Sequence, residues 1–180
     1  MIFEPFKPFV ASQFQVKRAS APWEINGSFA LRRKVFCEEQ GLFDGSDRDA
    51  IDETAIPLVA LSLLGIAADE VVGTVRIHQQ APGLWWGSRL AVSRDYRRVS
   101  ALGAGLIRLA VCTATARGCH TFLAHVQSQN VPLFERLHWH SLGEQEFHGR
   151  PHHKMQADLA FYPPFPDADT GFLAMPKQAA

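Results

Sequence analysis

Three strand-like runs, 56–64, 70–80 and 84–92, follow one another with only short turns between them, and the last is tied to a fourth, 121–126, by a segment with helical periodicity. Strands joined by short turns lie antiparallel, whereas a strand reached through a helical crossover lies parallel to the one before it. The chain is thereby confined to a mixed sheet whose direction changes between Leu84 and Val126. Such a change leaves a crevice at strand ends, a place where ligands lodge.

The remaining segments fill in around this unit. Phe14-Gln-Val16-Lys-Arg alternates apolar and polar and predicts a first strand. Pro22 opens a helical stretch to about Gln40, with Ala30, Leu31, Val35 and Phe36 on one face, Gly27 marking a break into two shorter helices, and Gly41 as the stop. Ser100 to Arg117 carries Leu102, Leu106, Leu109, Ala110, Val111 and Ala114 at helical spacing, with Ser100 as N-cap and Gly118 beyond the end. Residues 132–137 predict a short helix, and 140–148 and 152–161 a closing pair of strands around Gly149-Arg150-Pro151. The first dozen residues suggest an arm laid on the body, and the proline-rich ending an irregular tail. The fold class expected is therefore α/β (α+β), a mixed, mostly antiparallel sheet of about seven strands with helices on both faces. With 180 residues, 47% of them hydrophobic, one domain is expected over 1–162, its core about 14–162, followed by a tail over 163–180.

Eighteen Lys and Arg balance eighteen Asp and Glu, which leaves no long-range field to gather nucleic acid or an anionic membrane. Apolar stretches such as 56–68 are too short to span a bilayer, and the N-terminus lacks a signal-peptide pattern, so a cytoplasmic location is expected. Cys37, Cys112 and Cys119 form no C-x-x-C pair and suit packing thiols. From Glu38 to Glu53 seven carboxylates face only Arg48, which suggests a solvated loop for most of them. The spacings His138-x-His140 and His148 to His153 could hold zinc or copper, but no H-E-x-x-H pattern accompanies them and strand alternation accounts for them, so no metal is expected.

In LAVSRDYRRVSALGAGLIRLAV a buried-looking strand is followed by arginines and then by small residues at a helix start. Free amides at such a start, aided by the helix dipole, can hold a diphosphate, with Arg94, Arg97 and Arg98 adding charge; small residues there equally permit tight helix–sheet packing. Arg98-Val99-Ser100-Ala101-Leu102-Gly103, followed by Ala104, resembles the Q/R-x-x-G-x-G/A segment of the GNAT N-acetyltransferase superfamily, with Ala101 where glycine is usual and one extra residue in Tyr96-Arg97-Arg98. Gln127 to Trp139 resembles the family's later N-x-x-A-x-x-L-Y-x-x-x-G-F segment and includes Asn130. Gln127 stands for its asparagine and Phe134 for the tyrosine that often protonates the departing thiolate. Arg33-Lys-Val35-Phe36-Cys-Glu-Glu39-Gln40, then Asp52 and Pro151-His152-His-Lys-Met155, resemble the branch that holds ElaA-like proteins and acyl-homoserine-lactone synthases. GSRLAV, VQSQNV and HGRPHHKMQADLAFYPP together look closest to the GNAT group found beside nitrilase genes and linked by name to nitrogen starvation.

The resemblance implies an N-acyltransferase that takes acetyl-CoA or another acyl-CoA as co-substrate and a small amine as acceptor, with a homodimer common in the family. It also implies that the amides of Leu90, Ala91 and Val92 pair with the pantetheine arm as an added strand would. Acyl transfer needs a neutral amine, a proton route and a donor for the carbonyl oxygen. Glu39, His152 and His125 are the candidates for the proton route, yet Glu39 could pair with an arginine such as Arg33, His152 could satisfy a turn, His125 could be a core residue, and water could carry the proton. The acidic loop, if it borders the crevice, would favour a cationic amine, and Trp85 and Trp86 could wall the site. An acyl-CoA-binding sensor or assembly partner that has lost its catalytic acid is the alternative reading.

Overall fold

The computed structural model describes residues 9–175. The elements run β1 (Phe14–Arg18), α1 (Pro22–Arg32), β2 (Ile56–Leu64), β3 (Ala67–Ala81), β4 (Leu84–Val92), α2 (Ser100–Thr115), β5 (Thr121–Gln127), α3 (Val131–Arg136), β6 (Trp139–Phe147), β7 (Arg150–Ala157) and β8 (Phe172–Ala174). They form one sheet in the order β6-β7-β5-β4-β3-β2-β1-β8. β4 and β5 pair in parallel, as the helical crossover between them requires, and the other pairings among the described residues are antiparallel.

α2 packs its fully buried Leu102, Leu106 and Leu109 into the main core with Phe14, Val16, Leu58, Val72 and Phe122. On the opposite face Leu31, Val35 and Phe36 close over Ala91 of β4. The apolar run 56–64 is continuous rather than alternating because β2, between β1 and β3, is covered on both faces; Leu58 to Leu61 are buried without interruption.

Several expectations are corrected. Gly27 does not break the first helix: α1 passes through it, because a Cβ there would lie 2.6 Å from Val71 Cγ2, and its absence lets the helix approach β3. The regular α-helix ends at Arg32 and widens into a π-helical segment, Arg33–Glu39, where Gln40 N–H donates to Val35 O and Leu42 N–H to Phe36 O. Ser100 is the first helical residue of α2, not its cap; Val99 holds the N-cap position and offers no side-chain acceptor. The closing strands turn one or two residues earlier than expected, and 159–161 is a short 3-10 turn. The proline-rich ending is not wholly irregular. It lays β8 along β1 as an eighth strand, with Phe14 opposite Ala174, and buries Ala168.

Candidate active site

β4 and β5 stay paired from Leu84 opposite Thr121 only as far as Gly87 opposite Ala124, and then part. The register of β3 against β4 supplies a cause. Thr74 faces Ala91 but Arg76 faces Ser88, so β4 carries one extra residue, and Arg89 sits at φ 57°, the left-handed conformation of a bulge. Beyond the bulge, Ser93 N–H donates to Val72 O at 2.8 Å. Alternation along a strand then turns the amide of Ala91 to β3 as well, while those of Leu90 and Val92 face the gap left by β5. Of the three expected pantetheine-pairing amides, Ala91 is therefore already committed to the sheet.

Below the gap lies the start of α2, whose N-cap makes no side-chain hydrogen bond, so the first-turn amides of Ser100 and Ala101 have no capping acceptor. A Cβ added at Gly103 would meet only Leu133 Cδ2, at 3.9 Å, which leaves that turn open on its outer side. Leu102 is fully buried and Ala104 half-buried, both held by the helix rather than by the gap. Arg98 is exposed and makes no hydrogen bond or ion pair among the described residues, whereas Arg97 is engaged by the Val92 carbonyl oxygen at 3.1 Å and by Glu39. Glu39 thus has an arginine partner, but it is Arg97 from across the gap and not Arg33, which pairs with Glu38.

The gap opens into a cavity of about 630 Å³ that reaches both faces of the sheet. On the α2 side Phe122, Phe134 and Trp139 line it, Phe134 packing edge-on to Trp139 at 5.0 Å. Asn130 and Gln127 stand at its lip, and Gln127 Nε2 donates to Gln40 Oε1 at 2.9 Å, tying β5 to the end of the π-helical segment. On the α1 side three rings run together: His125 stacks on Phe147 at 5.2 Å and lies against Trp86 at 4.9 Å. Burial, and then the nearby His152 and Lys154, push the His125 imidazole below its ordinary pKa, so it is neutral near pH 7. His152 is 6% exposed, and its Nδ1 lies 2.9 Å from the Arg150 carbonyl oxygen, which can only accept. Nδ1 therefore carries a hydrogen, and in the neutral ring the lone pair lies on Nε2. Trp85 points to the main core instead of the site, while its neighbour Trp86 lines the cavity.

The acidic loop is not simply solvated. Asp47, 2% exposed, accepts from Arg32 Nε at 2.7 Å and from Arg89 Nε at 3.0 Å. Asp52 takes both Nη atoms of Arg32, at 2.6 and 3.0 Å, and Asp49 takes both of Arg76, at 2.6 and 2.8 Å. Burial opposes ionisation of Asp52, yet the hydrogen bonds from Arg32 and Arg76 hold it well below the usual carboxylate range. Sequence reasoning missed this network. Its partners, Arg32, Arg76 and Arg89, are scattered over α1, β3 and β4, and the only signal was that arginines occupy otherwise apolar strands.

Among the described residues the sheet thus parts at its one parallel pair, above an uncapped helix start, the layout of a mixed α/β ligand-binding fold. Residues 32–139 match the model of the acetyltransferase (GNAT) family, and the chain belongs to that family. No curated protein matches it significantly. Among solved structures it is similar to a putative N-acetyltransferase from Lactobacillus plantarum, with 23% identity over 80% of this chain and 97% of that one, at a TM-score of 0.70. It is also similar to Escherichia coli ElaA, with 20% identity, coverage of 81% and 98%, and a TM-score of 0.68. A CoA-dependent acyl-homoserine lactone synthase, BjaI, aligns at 20% identity over 79% of this chain and 82% of that one, at 0.63. At such identities the likeness is one of fold. Among the described residues no helix is long and apolar enough to cross a membrane.

Proposed function

We propose that the chain transfers an acyl group, acetyl in the simplest case, from acyl-coenzyme A to the amine of a small molecule by direct attack. The observation that carries this reading is the parting of β4 from β5 after Gly87, which leaves two strand amides, those of Leu90 and Val92, facing a gap instead of a neighbouring strand, with Leu90 on the cavity wall. Bound acyl-coenzyme A would supply a thioester carbonyl, which an amine can attack. The residues present fit it. Val92 N–H can pair with a pantetheine amide, and Leu90 N–H can take the charge that grows on the carbonyl oxygen. The free amides of Ser100 and Ala101, with Arg98, suit the phosphates, and Gly103 keeps the first turn open to them.

For the proton, His152 has the advantage over the other candidates. Its Nε2 lone pair is fixed by the bond at Nδ1, and its ring lines the cavity. Glu39 is neutralised by Arg97, and His125 Nδ1 is occupied by Gln145 Nε2 at 2.5 Å. In this scheme the amine nitrogen forms a bond to the carbonyl carbon, the carbon–sulfur bond breaks, and the surplus proton on nitrogen passes to His152 Nε2. Phe134 has no proton to give, so the sulfur departs as thiolate and is protonated by water. A cytoplasmic location, a homodimer and kinship with the GNAT group beside nitrilase genes belong to the same proposal, the last resting on GSRLAV, VQSQNV and the segment from His148 to Pro164.

The test is free-thiol release from acetyl-coenzyme A with a panel of amines, run beside thermal stabilisation by coenzyme A. Stabilisation together with amine-dependent thiol release is expected. Stabilisation without release by any amine would leave the protein a sensor, the reading that Phe134 favours, and neither response would refute both.

A further inference from the structure

We propose that the acceptor is an amine tethered to an aromatic or heteroaromatic ring, the ring seated against the wall of Trp86, His125, Phe147, His148 and Phe43, and not a polyamine. This rests on the transferase reading and assigns the other end of the same cavity. Three observations carry it.

The wall is continuous: Trp86, His125 and Phe147 follow one another at centroid spacings of 4.9 and 5.2 Å, His148 stands edge-on to Phe147 at 4.5 Å, and Phe43 reaches His148 at 4.7 Å. A flat ligand ring gains both apolar burial and ring–ring contact from such a surface. The carboxylates that would attract an ammonium group are already neutralised. Asp47 and Asp49 line the cavity, but Arg32, Arg76 and Arg89 hold them, and the cavity's own charged side chains are two aspartates against Arg48, Arg76 and Arg89. Finally, two of the rings already carry a cation. The Arg89 guanidinium lies 4.5 Å from the Phe43 centroid and Lys154 Nζ 5.6 Å from that of Trp86, so a second positive charge at either ring meets repulsion instead of a free π face. The expectation that the acidic loop would draw a cationic amine is thereby reversed: arginines take up the charge of its inward-facing members.

The experiment compares phenethylamine and histamine with putrescine and spermidine, using the full chain and acetyl-coenzyme A. It also measures phenethylamine and spermidine binding by calorimetry on protein saturated with coenzyme A, which needs no turnover. The ring-bearing amines are expected to bind and to react at least about tenfold better than the polyamines, and Trp86→Leu and Phe147→Leu to erase most of that ratio while coenzyme A still stabilises the protein. Tighter binding of spermidine than phenethylamine would overturn the inference, as would an unchanged ratio in both variants. Loss of the coenzyme A response in the unaltered protein would instead refute the transferase reading, with phenethylamine binding to the apo chain still deciding the ring site.

Discussion

Replacing Asp47 with Asn tests the charge network that anchors the loop over the site. The carboxylate lies 2.7 Å from Arg32 Nε and 3.0 Å from Arg89 Nε, and it is almost wholly excluded from water. Both guanidinium groups donate to the same oxygen, Oδ2, so Asn keeps the shape and can keep that acceptor but removes the charge that two buried arginines face. Charged hydrogen bonds contribute roughly 1.5–3 kcal/mol each, and breaking a buried pair by changing one partner costs about 3–5 kcal/mol. Arg32 retains Asp52, and Arg89 retains Asp49, so the lower end, about 3 kcal/mol, is expected. For a chain of this size that corresponds to a fall in Tm of roughly 6–12 °C. Urea and thermal unfolding followed by circular dichroism would measure it. Because Arg89 is the bulged residue preceding Leu90, kcat in the thiol-release assay should fall as well, with little change in coenzyme A binding. A loss under about 1 kcal/mol, the range of exposed pairs, would show that water screens the network and refute the reasoning.

The other expectations can be checked on the same preparations. Gly171→Ala should be among the most destabilising single-methyl additions, since its Cβ would fall 1.8 Å from the Val16 carbonyl oxygen and its φ is 65°; the readout is a large drop in Tm with release of β8, seen by hydrogen exchange in β1. Asp49, Asp52 and Glu24 all have folded pKa values below their ordinary ones, so they stabilise the fold above their unfolded values near pH 4 and lose that contribution as pH falls further; unfolding free energy should decline steadily below about pH 4 and be flat on their account above pH 5 or so. His152→Ala should lower kcat about a hundredfold with KM for acetyl-coenzyme A nearly unchanged; an unaltered kcat would pass the role to water.

Local pattern and connectivity determined a good deal by themselves. Short turns between β2, β3 and β4 and a helix before β5 dictate one parallel pair in an otherwise antiparallel sheet, since chain reach and strand handedness allow little else. The small residues at the start of α2, and the order of segments from Arg33 to Met155, were enough to place the family. What the sequence could not convey depended on residues far apart along the chain. The bulge at Arg89 exists only in the register of β4 against β3, and it decides which of the Leu90, Ala91 and Val92 amides face the gap. Arg97 reaches Glu39 across 58 positions, and Asp47 reaches Arg89 across 42; these meetings turn a candidate base into an ion pair and an acidic loop into a neutralised roof. A ring wall assembled from β4, β5 and the end of β6 has no periodic signature either. Charge state and pocket chemistry are properties of who is adjacent in space, and only the folded sheet settles that.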